Sequence, residues 1–429
     1  MATAWSKVLL SKTTVLLLVC GSVNALDLDV NSQDSIRSAA STVAYGLQSY
    51  YRNNASNTDP RDVGTLNLPY YWWESGAMWG SLVDYWAYTG DDRYVENTIN
   101  AFVTQSGPNR DLMNEKFYGQ TGNDDQGFWA LSLMSAVENG FPSPSSDQPQ
   151  YLQVATNAFQ TQVGRWDTAG CDGGLRWQIF DSHPGYPYMN TVSNGAFFQL
   201  AARLARATKN DTFVEWAEKA WDWVSEKGLI DSTYCTVYDG TNSNNGCSSH
   251  DLHQYTYNNG LFMYGAAALY DHTKDTKWSD RAHCLIDAAG VFFTPFDNAT
   301  DVLYEASCET IGTCNLDMQS FKAYLARWMA KTTVLMPETR DGIFTKLKAS
   351  ASAAARSCSG GNDGVTCGTK WYVGGYDGQY GVGQQITALE VIQSLLVDNA
   401  GTPQTSSAPS MTPQVPDEPS MGRGNLKDN

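Results

Sequence analysis

Hydrophobic positions recur at helical spacing from Ser32 onward, and twelve stretches carry that period: residues 32–51, 74–88, 92–105, 125–139, 149–164, 191–208, 211–227, 257–272, 276–293, 318–334, 338–356 and 382–397. No comparable set of alternating, strand-like runs accompanies them. The links between stretches differ in kind. Those after the second, sixth, eighth and tenth are short and polar, whereas those after the odd-numbered stretches are long and rich in Gly, aromatics and Cys. Three short links share a form: Thr89 to Tyr94, Thr208 to Phe213 and Thr273 to Trp278 each place a polar turn before an aromatic that opens the next helix. Short links make antiparallel neighbours. The pattern therefore predicts an all-α fold, six helical hairpins closed into an (α/α)6 barrel, with the long loops gathered at one end around a cleft.

A double ring needs two kinds of helix, and both are present. The seventh stretch sets Phe213, Trp216, Ala217, Ala220 and Val224 on one side and Glu215, Glu218, Lys219, Asp222 and Glu226 on the other, as an outer helix should. The fourth, sixth and eighth are apolar nearly all round and rich in small residues, which predicts inner helices.

Composition adds a partner class. The chain has 429 residues, 14 Trp, 23 Tyr, 15 Phe and a formal charge of -17, with no Lys/Arg cluster. Nucleic acid and acidic membrane surfaces would be repelled, and a neutral partner such as a sugar fits better. No stable protein partner is expected, and the chain is read as a monomer.

The N-terminus carries Lys7 and Lys12, an apolar run from Thr13 to Cys20, and Val23, Asn24 and Ala25 at the spacing of a signal-peptidase site. Residues 1–25 are thus read as a signal peptide, 26–398 as the catalytic barrel, and 399–429, rich in Pro and Ser, as a disordered tail. A secreted protein is expected, extracellular or associated with a cell wall. No C-terminal hydrophobic segment of the kind that precedes a glycolipid (GPI) anchor appears. Eight cysteines remain after Cys20 is removed. Spacing suggests Cys235/Cys247, Cys308/Cys314 and Cys358/Cys367 as local pairs, leaving Cys171 with Cys284, one of 105 possible connectivities. Sequons at Asn54, Asn210 and Asn298 are compatible with glycosylation.

Candidate chemistry centres on Asp124 and Asp125 in GNDDQGFWAL. The pair could simply start a helix, with Asn123 and Gln126 at capping-box spacing. The loop before it is a long one, however, which puts both carboxyls at the cleft end of an inner helix. Asp91 and Asp92 lie in a short link at the opposite end and are read as capping only. Adjacent carboxyls among aromatic rings cannot both ionise freely, which supplies a protonated acid beside an ionised nucleophile. Glycoside hydrolysis needs that division, and neighbouring side chains suit the shorter, retaining separation of about 5 to 5.5 Å. Long-loop aromatics offer faces for pyranose rings: Tyr70, Tyr71, Trp72 and Trp73, Trp177, Tyr186 and Tyr188, Tyr255 and Tyr257, Trp371, Tyr372, Tyr376 and Tyr380. Asn194, Asn258, Asn259 and Asp377 offer hydroxyl partners. His250 and His253 have metal-like spacing without an evident third ligand, so no metal site is expected. No serine-nucleophile elbow, phosphate loop or dinucleotide fingerprint stands out, and no cofactor is expected.

The segments YYWWESGAMWGSLVDYW, GNDDQGFWAL, CDGGLRWQ, NTVSNGAFFQLAARLA, YTYNNGLFMYGAAALY and GGYDGQYGVGQQITALEV together resemble the fungal branch of glycoside hydrolase family 76, over nearly all of residues 26–398. The resemblance implies an (α/α)6 barrel and endo-acting, retaining cleavage of α-1,6-linked mannose. Mapped onto this sequence, it implies Asp124 as nucleophile and Asp125 as general acid/base, with Trp177 and Asn194 in motifs that line the cleft. Trp72, Trp73, Tyr257 and Asn258 complete the expected substrate-binding set, and the expected partner is α-1,6-mannan or another mannose-containing glycan. Two alternatives follow: a cell-wall transglycosidase that acts on the mannose core of GPI glycans and transfers anchored proteins to wall glucan, and a non-catalytic carbohydrate-binding barrel. The intact acidic pair argues against the last.

Overall fold

The computed structural model describes residues 25–405. Twelve α-helices are formed among them: α1 (Gln33–Gln48), α2 (Trp72–Thr89), α3 (Val95–Gln105), α4 (Asn123–Asn139), α5 (Tyr151–Val163), α6 (Thr191–Thr208), α7 (Thr212–Glu226), α8 (Thr256–Thr273), α9 (Thr276–Ala288), α10 (Phe321–Leu335), α11 (Arg340–Ser357) and α12 (Val382–Gln393). The even-numbered helices pack in the order α2, α4, α6, α8, α10, α12 and back to α2, which closes an inner ring, and the odd-numbered helices pack outside it. The (α/α)6 barrel expected from the alternation of links is therefore the fold.

Burial follows from side-chain size and polarity. On α7, Phe213, Ala217, Ala220 and Val224 are buried while Glu215, Asp222 and Glu226 are exposed. On α6 every residue from Thr191 to Ala207 is buried. Small residues let the inner helices approach: a Cβ on Gly127 would lie 2.8 Å from the Ala196 methyl, and one on Gly76 2.6 Å from the Trp129 ring. The inner ring is not wholly apolar. Away from the cleft, Arg203 pairs with Glu138 at 2.8 Å, Arg327 with Glu390 at 2.7 Å and Lys331 with Asp84 at 2.8 Å, all nearly or fully buried. Each of these three buried cations thus faces a carboxylate that compensates its charge.

Every long loop runs from an odd to an even helix, so all six sit at the N-terminal ends of the inner ring. Two of them build a small antiparallel sheet, β1 (Tyr188–Asn190), β2 (Gly240–Asn242) and β3 (His250–Asp251), with Tyr188 opposite Asn242 and Thr241 opposite His250. Strands of two or three residues carry no readable alternation, which is why the period analysis does not find them.

Two expected disulfides are corrected. The pairs are Cys171–Cys247 and Cys235–Cys284, along with Cys308–Cys314 and Cys358–Cys367 as expected. Pairing of β1 with β2 carries the α5–α6 loop against the turn after β2, and so brings Cys171 rather than Cys235 to Cys247. Cys235 instead meets helix α9 through Cys284. Just past residue 398, Gln404 N–H donates to the Glu138 carbonyl at 2.7 Å and Arg206 donates to the Pro403 carbonyl at 2.8 Å, so the chain there is hydrogen-bonded to the barrel. The signal-peptide reading lies outside the described residues apart from Ala25. No helix among the described residues is long and apolar enough to cross a membrane.

Candidate active site

A cleft of about 490 Å³ opens where the inner-helix N-termini converge. Its lining comes from α2 (Trp73), α4 (Asp124, Asp125, Phe128), the cap of α6 (Asn190), α8 (Tyr257) and α10 (Phe321), with Trp177, Tyr188, Asp239, Tyr255 and Asp317 added by the loops. Among the described residues, no Lys, Arg or His lines it.

The N-cap of α4 lies one residue earlier than the capping-box spacing suggests. Gly122 is that residue, and the Gly122 N–H donates to Asp125 Oδ2 at 2.5 Å, so Asp125 and not Gln126 makes the reciprocal cap. Asn123 is taken by tertiary contacts: its N–H donates to the Trp177 carbonyl at 2.9 Å and its Nδ2 to the Arg176 carbonyl at 2.9 Å. Gln126 turns away and donates to the Asp111 carbonyl at 2.7 Å. The acidic turn is thereby fastened to the segment that carries Trp177.

Both carboxyls are half-buried and converge on Gly122. A Cβ built there would stand 2.5 Å from Asp124 Oδ1 and 3.0 Å from Asp125 Oδ2, so those oxygens lie no farther apart than the two lengths together, about 5.5 Å. Asp124 accepts from Asn190 Nδ2 at 3.0 Å and from the Asp125 N–H at 3.0 Å. Burial pushes its pKa up to about 7 against those two donors, with Asp317 adding repulsion. Burial, then the charge of Asp124, then that of Asp317 push Asp125 well above the ordinary carboxylate range. Asp91 is the contrast. Hydrogen bonds from Arg93, with one from the Tyr85 hydroxyl, hold it down at about 2, at the far end of the barrel.

These shifts bear on stability. A carboxyl whose folded pKa is raised makes the folded state bind more protons than the unfolded one, so stability is greatest below the ordinary Asp value of about 4 and falls as pH rises toward about 7. Asparagine at both positions keeps an acceptor oxygen and removes the charge. The Asp124→Asn/Asp125→Asn variant is expected to melt a few degrees above the parent at pH 7, with the gap closing near pH 4, in thermal scans across that range.

The structure brings Trp73, Trp177 and Tyr257 of the expected binding set to the cleft with the acid pair. Trp72, Asn194 and Asn258 are not brought there. Consecutive helical residues point about 100° apart, so with Trp73 directed inward Trp72 turns outward. It is buried against Trp129 at 5.1 Å, with Nε1 donating to Gln105 at 2.9 Å. Asn194 is fully buried and clamps Leu175, accepting from its N–H at 2.8 Å and donating to its carbonyl at 3.0 Å. Asn258 lies behind the wall, its Nδ2 3.4 Å from Asp239 Oδ1. Of the other aromatics, Tyr71, Tyr188 and Tyr255 line the cleft, whereas Trp371 is buried beneath Lys322.

Asn190, Asp239 and Asp317 are among the lining residues that sequence reasoning missed. Asn190 caps α6 and also orients Asp124. Asp239 accepts the Tyr188 hydroxyl at 2.6 Å, and Asp317 accepts Trp73 Nε1 at 3.1 Å across 244 positions of sequence. Burial raises both carboxyls. Only Asn190 had a local signal, its capping distance from Ser193.

The sequence model of glycosyl hydrolase family 76 matches residues 35–407. Over 372 residues the chain is 45% identical to mannan endo-1,6-alpha-mannosidase DCW1 of Candida glabrata, covering 86% of this chain and 82% of that protein. Among solved structures, Dfg5 from Chaetomium thermophilum in complex with glucosamine is similar at 40% identity and a TM-score of 0.83, over 88% of this chain and 94% of that one. An inactive variant of the α-1,6-mannanase of Salegentibacter sp. HEL1_6, in complex with α-1,6-mannotriose, shares the fold at 20% identity and a TM-score of 0.65, over 84% and 99% of the two chains.

Proposed function

The chain belongs to glycosyl hydrolase family 76, and from that premise we propose that it is a retaining, endo-acting glycosidase of α-1,6-linked mannan, with Asp124 as nucleophile and Asp125 as general acid/base. The observation that carries this reading is the convergence of the two carboxyls on Gly122, within about 5.5 Å, at the floor of the cleft. Oxygens that close favour the retaining separation of about 5 to 5.5 Å over the inverting one of about 6.5 to 9.5 Å.

The surroundings support the division of roles. Asp124 receives two hydrogen bonds that favour its anion, whereas Asp125 faces the charges of both Asp124 and Asp317 and keeps its proton. Asp124 attacks the anomeric carbon while Asp125 protonates the departing glycosidic oxygen, giving a glycosyl ester on Asp124. Asp125, now ionised, takes a proton from water, and the water opens the ester to regenerate both groups. Trp73, Trp177 and Tyr257 present apolar faces to sugar rings, and Asp239 and Asp317 offer acceptors to hydroxyls. The substrate follows from relatives named for it, and the cleft's want of cationic residues suits a neutral glycan.

The test is incubation with unbranched α-1,6-mannan, following the first-formed reducing ends by proton NMR and the products by mass. Shorter oligomers released as the α-anomer are expected. First release of the β-anomer would defeat the double displacement, and an untouched polymer would defeat the substrate. Products extended by an added oligosaccharide would turn the reading from hydrolysis to transfer.

A further inference from the structure

We propose that a second groove, of about 750 Å³ and adjoining the cleft, binds the continuation of the α-1,6-mannan chain seated over Asp124 and Asp125. The proposal rests on the glycosidase reading above and extends it beyond the reacting bond.

Continuity is the first ground. Tyr188 lines both spaces, and its hydroxyl donates to Asp239 in the cleft wall. On the groove side, His253 stacks on the cleft residue Tyr255, with ring centres 6.0 Å apart and planes within 14°, so an aromatic tier runs from one space into the other. A chain leaving the cleft past Tyr255 meets this tier next.

The lining supplies the chemistry. Among the described residues no Lys or Arg faces the groove, which disfavours phosphate or sulfate, and the one carboxylate among them there, Asp251, is paired with His253. The side-chain amide of Gln254 and Nδ2 of Asn242 make no hydrogen bond among the described residues, although both line the groove. Beside them Leu252 and Val291 are 63% and 43% exposed. Unspent amides next to apolar surface match the alternating hydroxyl edges and C–H faces of a neutral hexose chain.

Rigidity is the third ground. Cys171–Cys247 and Cys235–Cys284 staple the single loop that carries β2 and β3, and Cys308–Cys314 adjoins the wall at Ser307, whose hydroxyl donates to the Gln254 carbonyl at 2.7 Å. The groove stands formed before a ligand arrives, which lowers the ordering cost of binding.

The experiment uses the full chain carrying Asp124→Asn/Asp125→Asn and calorimetric titration with α-1,6-manno-oligosaccharides. Affinity is expected to rise tenfold or more from trimer to hexamer. Adding His253→Ala/Gln254→Ala, or independently Leu252→Asp at a position 63% exposed, should reduce that gain to threefold or less. A hexamer that binds no tighter than the trimer, or a gain that survives both groove variants, would overturn the proposal. An equal gain for a β-1,3-linked glucohexaose over its trimer would overturn its assignment to the mannan chain. Failure of every manno-oligosaccharide to bind would remove the glycosidase reading itself, and the groove with it.

Discussion

Asparagine in place of Asp124 is expected to lower kcat on α-1,6-mannan by about ten-thousand-fold or more, the order seen when a covalent nucleophile is removed. Asp125→Asn should cost about a hundred- to ten-thousand-fold on the same substrate, because only proton transfer is lost. The two are separable by leaving group. An aryl mannoside whose phenolate leaves without a proton needs no acid in the first step, so Asp125→Asn should approach the parent's rate of aryl release and accumulate glycosyl-enzyme, detectable by mass. Asp124→Asn should stay silent on both substrates. Asp91→Asn, with its carboxyl tied to Arg93 and Tyr85 at the other end of the barrel, is expected to keep wild-type activity. Aryl release by Asp124→Asn at the parent's rate would reverse the assignment of roles.

Gly122→Ala is expected to reduce kcat about a hundredfold while shifting the melting temperature by only a few degrees. Backbone angles are not the obstacle, since φ -97° and ψ 179° suit any residue. The obstacle is contact: the added carbon would lie 2.5 Å from Asp124 Oδ1, 2.8 Å from the Trp177 carbonyl and 3.0 Å from Asp125 Oδ2. That carbonyl is held by the Asn123 N–H, so the carboxyls are what must give. Displacing a reacting group by about 1 Å costs on the order of a hundredfold. KM should change far less than kcat, because Trp73 and Tyr257 stand on other helices. Activity within threefold of the parent would mean that the carboxyls tolerate rearrangement and that their convergence on Gly122 is not what sets the rate.

The acid pair was legible because two local signals met. A helical period begins just after Asp124, and the loop before it is long. Asp91 and Asp92 have the same composition and failed the second test, and the structure separates the two pairs accordingly. The aromatics were legible only as a class. Trp72 and Trp73 are indistinguishable in a string, yet a rotation of one residue along α2 sends the first into the core and the second into the cleft. Asn194 and Asn258 sit in the right segments and serve as supports behind the wall.

What the sequence determined by itself is whatever repeats along the chain: the twelve helices, the inner or outer place of four of them, the alternation that puts every long loop at one end, and the acid pair at that end. A period of 3.6 residues and a loop length are local quantities, and they survive without knowledge of what packs against them. Tertiary structure alone decided the partnerships. Cys171 finds Cys247 because two short strands pair; Asp317 meets Trp73, and Asn190 meets Asp124, because the ring closes. These contacts join side chains that no period relates, so their cause lies in how the inner helices close on one another, and there the chemistry of the cleft is set.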